Sequence, residues 1–145
     1  MFLNSLFERG SLGVMQKTMA FTEARHKVLV NNVTNFDTVG YKVQDLPAEQ
    51  FHQAMREAVQ RRNRRGAGAP LELQPQRNFR YDSRGHLQAS AVEIEDNNIL
   101  FHDENNRFLE KQMVQLRKNT GKHRMMAELL GQQYSLLRSA IRGQV

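Results

Sequence analysis

Five histidines, at 26, 52, 86, 102 and 123, are the side chains best suited to bind a metal or move a proton near neutral pH. None forms the His-Glu-x-x-His pattern that puts two ligands on one helix face. His102-Asp103-Glu104 gathers ligand types, but neighbours on a helix point about 100° apart. All three therefore do not converge on one ion. The chain has no Gly-x-Ser-x-Gly, no Gly-rich phosphate loop followed by Lys-Ser/Thr, and no dinucleotide fingerprint. Zero Cys excludes a disulfide framework, thiolate metal ligands and a cysteine nucleophile. The acidic residues fall on expected exposed helix faces or beside an Asn cluster, where nothing raises a carboxyl pKa. The expectation is a chain without catalytic residues, bound metal or cofactor.

The segment richest in special chemistry is Val28-Leu29-Val30-Asn31-Asn32-Val33-Thr34-Asn35-Phe36-Asp37-Thr38-Val39-Gly40-Tyr41-Lys42. A helix running into it stops among Asn, Asp, Thr and Gly. Asn and Asp side chains bond back to the local main chain and tolerate left-handed backbone. Gly40 permits positive φ. Tyr41 offers a ring that anchors the returning chain. This is a shaped exit from a helix, and a simple cap and turn accounts for it equally well.

The elements around it follow from periodicity. Leu12, Met15, Met19, Thr22, His26, Leu29 and Val33 are spaced 3-4-3-4-3-4, an unbroken heptad seam, and Phe21 and Val28 widen it. This predicts a helix over residues 11–33. Leu109, Met113, Leu116, Thr120, His123, Ala127, Leu130, Tyr134, Leu137 and Ile141 repeat the pattern. Asp103 is placed to cap that helix and Gly143 to end it. Gly121 and Gly131 interrupt it, as a kink or a close helix approach. Neither stripe is buried unless it meets a partner, and the simplest arrangement pairs the two helices antiparallel. The predicted fold is therefore mainly α: long N- and C-terminal helices packed as a coiled-coil-like pair around an irregular middle insert. The expected units are 1–42, the first helix and Asn-rich turn; 43–102, the insert; and 103–145, the second helix. Within the insert, Pro47 to Gln60 suits a short helix with Phe51, Met55 and Val59 on one face. Residues 79–95 suit extended chain or a small β-hairpin around Ser83-Arg84-Gly85.

Length and composition agree with thin packing. The chain has 145 residues, 39% hydrophobic, and no Trp. That suits helix on helix better than a thick core. No apolar run is long enough to span a membrane. The start, Met1-Phe2-Leu3-Asn4-Ser5-Leu6-Phe7, lacks the basic region, apolar stretch and small-residue site of a cleavable signal. The net charge is +6, and residues 56–84 alone carry +5. The peak, Arg61-Arg62-Asn63-Arg64-Arg65, runs into Gly66-Ala67-Gly68-Ala69-Pro70, which reads as a solvated linker over about 61–78.

The Asn-rich segment resembles the axial proteins of the bacterial flagellum, the rod and hook family. Their motif reads approximately Ala-Asn-Asn-Ile-Ala-Asn-x-Asn-Thr-Pro-Gly-Tyr-Lys. Asn31, Asn32, Asn35, Thr38, Gly40, Tyr41 and Lys42 match it, and Val39 stands where the family has Pro. The second half is similar to the family's proximal-rod members. There Asp103-Glu104-Asn105-Asn106-Arg107-Phe108-Leu109-Glu110-Lys111-Gln112-Met113 resembles Asp-Gly-Asn-Asn-Val-Asp-Leu-Glu-x-Glu-Met. Asn119 falls where those proteins have Asn. Tyr134-Ser135-Leu136-Leu137-Arg138-Ser139-Ala140-Ile141 is similar to their Phe-Ser-x-Leu-Arg-x-Ala-Ile. The resemblance covers both ends and little of the middle.

What the resemblance implies is a structural protein of the basal-body rod, in the periplasm, exported through the flagellar type III apparatus without a cleaved signal. Implied partners are other rod proteins, copies of itself, and the membrane-embedded ring and export gate at the rod base. No small-molecule substrate and no nucleic acid are expected. The helix residues expected to pack and assemble are Leu12, Met15, Met19, Leu29, Val33, Leu109, Met113, Leu116, Leu130, Tyr134, Leu137 and Ile141. With the chain termini together, Met1 falls near Ile141. Val33 then faces Leu109, Leu29 faces Met113, His26 faces Leu116, Thr22 faces Thr120, Met19 faces His123 and Leu12 faces Leu130. Two other classes stay open from the residues alone: a basic helical nucleic-acid-binding protein using Arg61–Arg65, and a coiled-coil adaptor or chaperone.

Overall fold

The computed structural model describes residues 11–66, 69–82, 85–94 and 104–143, with the side chains of 104–108 left out. The expected cap at Asp103, the His102-Asp103-Glu104 cluster and the placing of Met1 lie outside the described residues and side chains. The elements run α1 (Ser11–Thr34), β1 (Gln44–Asp45), α2 (Ala48–Arg65), β2 (Phe79–Tyr81), β3 (Leu87–Ala89), β4 (Val92–Glu93) and α3 (Glu104–Arg142). The chain is mainly helical, and α1 and α3 pack along each other antiparallel. No helix among the described residues is long and apolar enough to cross a membrane.

The middle is better packed than its composition suggested. On α2, Phe51, Ala54, Met55 and Ala58 recur at helical spacing and all are buried. They meet Phe21 of α1, Leu46, Leu71 and Phe79 of β2 in one cluster. Phe21 and Phe51 stack with ring centroids 4.0 Å apart, and Phe79 meets both edge-on. The largest apolar cluster therefore lies between α1 and the insert, while Leu12, Leu29 and Leu130 of the long helices are buried outside it. The two long helices do pack on each other as expected, and the insert adds an apolar cluster of its own against α1. Phe21 sits one position off the heptad seam, so α1 has two buried faces.

The supposed linker is also corrected. Arg61–Arg65 are the last turns of α2, which ends at Gly66. Cations are favourable there, since the last carbonyls of a helix carry partial negative charge. Beyond it Leu71 is buried and Leu73 packs against the core. The hairpin expected around Ser83-Arg84-Gly85 is present: β2 and β3 pair antiparallel, with Arg80 opposite Gln88. Its Tyr81 hydroxyl donates to the Lys17 carbonyl at 2.9 Å, and the Lys17 ammonium lies 4.3 Å from the Tyr81 ring centre. Burial holds the Tyr81 phenol well above its ordinary pKa. A second pair, β1 with β4, was not anticipated: Gln44 faces Glu93 and Asp45 faces Val92.

The C-terminal helix runs without interruption through Gly121 and Gly131. Open space surrounds the position a Cβ would take at each, so neither marks a close approach within this chain. Gly143 ends the helix at φ +67°, the left-handed stop the sequence suggested.

Candidate functional site

The Asn-rich segment folds into a latch. Its turn is built locally: the Asn31 carbonyl accepts from the Asn35 main-chain N–H at 3.1 Å and from the Asn35 side chain at 2.9 Å. The Asn35 carbonyl then accepts from Thr38 N–H, and the Thr38 carbonyl from Tyr41 N–H, both at 3.0 Å. Gly40 carries φ +78°, which a side chain at that position would strain. Val39, at the tip where the resembling family has Pro, is fully exposed.

These bonds return the chain onto Asn32, whose exposure is 0%. An amide has two N–H donors and two lone pairs on oxygen. All four are used. The Asn32 Nδ2 donates to the Gln44 carbonyl at 2.6 Å and to Gln112 Oε1 of α3 at 3.1 Å. Its Oδ1 accepts from the Tyr41 hydroxyl at 3.0 Å and from Gln44 N–H at 3.2 Å. One side chain thus joins the end of α1, the returning loop, β1 and the C-terminal helix. The same loop is fastened twice more. Arg25 forms a two-pronged pair with Asp45, at 2.7 and 2.5 Å, and Lys42 pairs with Glu93 at 2.7 Å.

Polar contacts continue along the α1–α3 seam. Asn119, 1% exposed, donates to the Thr22 carbonyl at 2.7 Å. The Thr22 hydroxyl gives its proton to the Met19 carbonyl, so the His123 Nδ1–H, 3.1 Å away, is the donor to Thr22 Oγ1. The reciprocal pair, Thr120 with His26, repeats this at 3.5 Å, with Thr120 donating to the Leu116 carbonyl. Gln16 donates to the Tyr134 hydroxyl at 3.0 Å. Among the described residues no buried side-chain nitrogen or oxygen lacks a partner.

This geometry corrects the expected register. Thr22 does not face Thr120: each Thr pairs with the other helix's His. A Thr–Thr pair would have left both hydroxyl protons on their own helix carbonyls, with no donor across the seam. His26 stands beside Thr120, about one turn from its expected partner Leu116. The seam of α3 is also rotated. Leu109, Leu116 and His123 are half-buried and Leu130 is buried, as the heptad reading had them facing α1. The alternating positions are instead Gln112 and Asn119, and Met113, Tyr134, Leu137 and Ile141 are exposed in the single chain. On α1, Leu12 and Leu29 are buried, while Met15, Met19 and Val33 are half-buried. Hydropathy could not find Gln112. Asn119 and Asn32 carried a signal, since both lie at positions that resemble the family.

The register gives a direct expectation. Cysteines at 26 and 120 should form a disulfide readily, while a 26/116 pair should not. Preferential 26/116 cross-linking would restore the apolar-seam register.

His52 adds a pH dependence. Burial, and next the Lys122 charge, lower its pKa from the ordinary value, with Arg56 and Arg25 in the same sense and Glu49 opposing. The unfolded chain therefore binds a proton at His52 at higher pH than the folded one. Stability is complete above about pH 6.5 and falls as pH drops through the folded pKa. Urea titrations should show a steeper loss of stability from about pH 7.5 to 5 in wild type than in His52→Gln. Equal slopes would contradict the assignment.

All four hydrogen-bonding positions of the Asn32 amide are engaged by other atoms of the chain, so its physical effect is to hold two helices and a returning loop in one register. Among the described residues no group of three or more His, Asp or Glu side chains is arranged to hold a metal ion. Comparison with protein-family models, with characterised proteins and with solved structures finds no match to this chain.

Proposed function

We propose that this chain is a structural subunit of the bacterial flagellar rod, of the FlgB type at the proximal end. One observation carries the reading: the two segments that resemble the family are bonded to each other. Asn32 and Tyr41 belong to the Asn-Asn…Gly-Tyr-Lys segment, Gln112 belongs to the Asp103–Met113 segment, and Asn32 joins all three.

The surface of α3 supports the same reading. Met113, Val114, Met125, Leu136, Leu137 and Ile141 are exposed in the single chain. Side-by-side packing in a tube, with neighbours on more than one side, would cover such side chains. A rod subunit transmits torque through packed interfaces, which a register-locked helix pair suits. Its neighbours in this reading are other rod proteins, copies of itself, and the membrane-embedded ring and export gate at the rod base. It would reach the periplasm through the flagellar type III apparatus.

The test is genetic. Removing the chain from its flagellated source should leave cells non-motile, without rod or hook in purified basal bodies, and the intact chain should restore both. Complete rods in its absence would overturn the reading.

A further inference from the structure

Gly121 lies in the middle of α3, where glycine weakens a helix relative to alanine. No other part of the described chain comes within 4 Å of the Cβ it lacks. A mid-helix glycine with no close neighbour in its own chain leaves room for one in another. We infer that α3 pairs antiparallel with the α3 of a second copy of this chain, about a two-fold axis at Met125.

The face is laid out for such a pairing. Val114, Met125 and Leu136 are exposed and stand eleven residues apart, three helical turns, so they form one stripe. It lies about 100–140° around the helix from Asn119, which bonds to α1. The spacing is symmetric about Met125. Gly121 and Lys118 precede it by four and seven residues, and Leu129 and Gln132 follow by the same four and seven. A two-fold axis at Met125 therefore brings Val114 onto Leu136 of the second copy, Gly121 onto its Leu129, Lys118 onto its Gln132, and Met125 onto its own counterpart. Each leucine at 129 enters the space open over the other chain's Gly121. The Lys118 ammonium can donate to the Gln132 side-chain oxygen, so the polar layer is shared and pins the register. A parallel pair would set Lys118 against Lys118 and the two glycines against each other.

Charge favours the same partner and direction. On one flank of the stripe the pairing places Glu128 beside Arg124 of the second copy and Glu110 beside its Arg142, each twice by symmetry. All four are exposed, and among the described residues none forms an ion pair in its own chain. Lys118 and Gln132 interrupt the stripe, which suits a layer between helices better than insertion into lipid. In a polar tube every subunit points the same way, so this two-fold contact belongs to the free chain. In the rod reading it keeps Val114, Met125 and Leu136 covered until tube neighbours replace it.

The contact itself does not rest on the rod assignment and is read on the purified full chain. The chain has no Cys, so single cysteines report the geometry. Met125→Cys lies on the axis and should form a disulfide dimer under mild oxidation. Leu136→Cys alone should not, whereas an equal mixture of Val114→Cys and Leu136→Cys should form the mixed dimer. In sedimentation the native chain should show a monomer–dimer equilibrium. Gly121→Leu should weaken it at least about tenfold by overfilling the contact, with helix content and thermal stability of the monomer kept or raised. Any of three results would overturn the contact: a native chain that stays monomeric at every soluble concentration, whether or not it binds anionic vesicles; Leu136→Cys linking as readily as Met125→Cys; or Gly121→Leu dimerising like the native chain. Complete rods made without this chain would remove the rod assignment and leave these cross-links unchanged.

Discussion

Asn32→Ala should lose about 3–5 kcal/mol of folding stability, far more than a side chain of its size would suggest. The reason is what it leaves behind. The alanine removes four hydrogen bonds at a site with 0% exposure, and Gln112, the Tyr41 hydroxyl and both main-chain groups of Gln44 lose a partner. Each stranded buried group costs about 1–3 kcal/mol, reduced where water can reach it. Asn32→Asp should fare little better, because a carboxylate would point an acceptor at the Gln44 carbonyl and at Gln112 Oε1. Gln112→Ala should cost about 1–2 kcal/mol, with the double mutant less destabilised than the two singles added, by at least about 0.5 kcal/mol. Urea unfolding of the four proteins measures this. Additive effects would mean that Asn32 and Gln112 do not share a bond.

The second large effect belongs to the insert. Phe51→Ala should cost about 3–5 kcal/mol, the range for emptying a buried aromatic site. Phe51 is fully buried, stacks on Phe21 and meets Phe79 edge-on, so its loss opens a cavity where three elements join. The change should also raise amide exchange at Tyr81 and Leu87 of the hairpin, whose attachment to α1 runs through this cluster. By contrast, Val39→Ala, at an exposed tip, should change stability by less than about 0.5 kcal/mol. A Phe51→Ala protein as stable as wild type would show that the insert does not pack on α1.

The two long helices were legible because their apolar spacing is sustained over many turns, and the hairpin because Gly85 interrupts a weak alternation. The partner of each helix face was not. A heptad reading assigns polar side chains to solvent, yet Gln112 and Asn119 are buried, stabilised by bonds to atoms far away in sequence. Burial of an amide depends on whether its partners arrive, and no local pattern encodes that. Phe21 shows the converse. It was visible as an apolar residue beside the seam, but only its stacking partner, thirty positions on, reveals that α1 serves two interfaces. The Arg61–Arg65 run misled in a simpler way, because charge density reads as solvated coil whether or not a helix end favours it. The latch itself lay half in view. Asn31, Asn32, Asn35, Gly40 and Tyr41 announced a shaped turn, while its tie to α3 through Gln112 required the fold.

The most direct test is a side-chain-resolved electron cryomicroscopy reconstruction of basal bodies from the source cells. A subunit of this sequence is expected at the base of the rod, with α1 and α3 antiparallel and Asn32 joined to Tyr41, Gln44 and Gln112. A complete rod in which no density fits this chain would contradict the assignment, and a fitted chain with Asn32 and Gln112 far apart would contradict the latch.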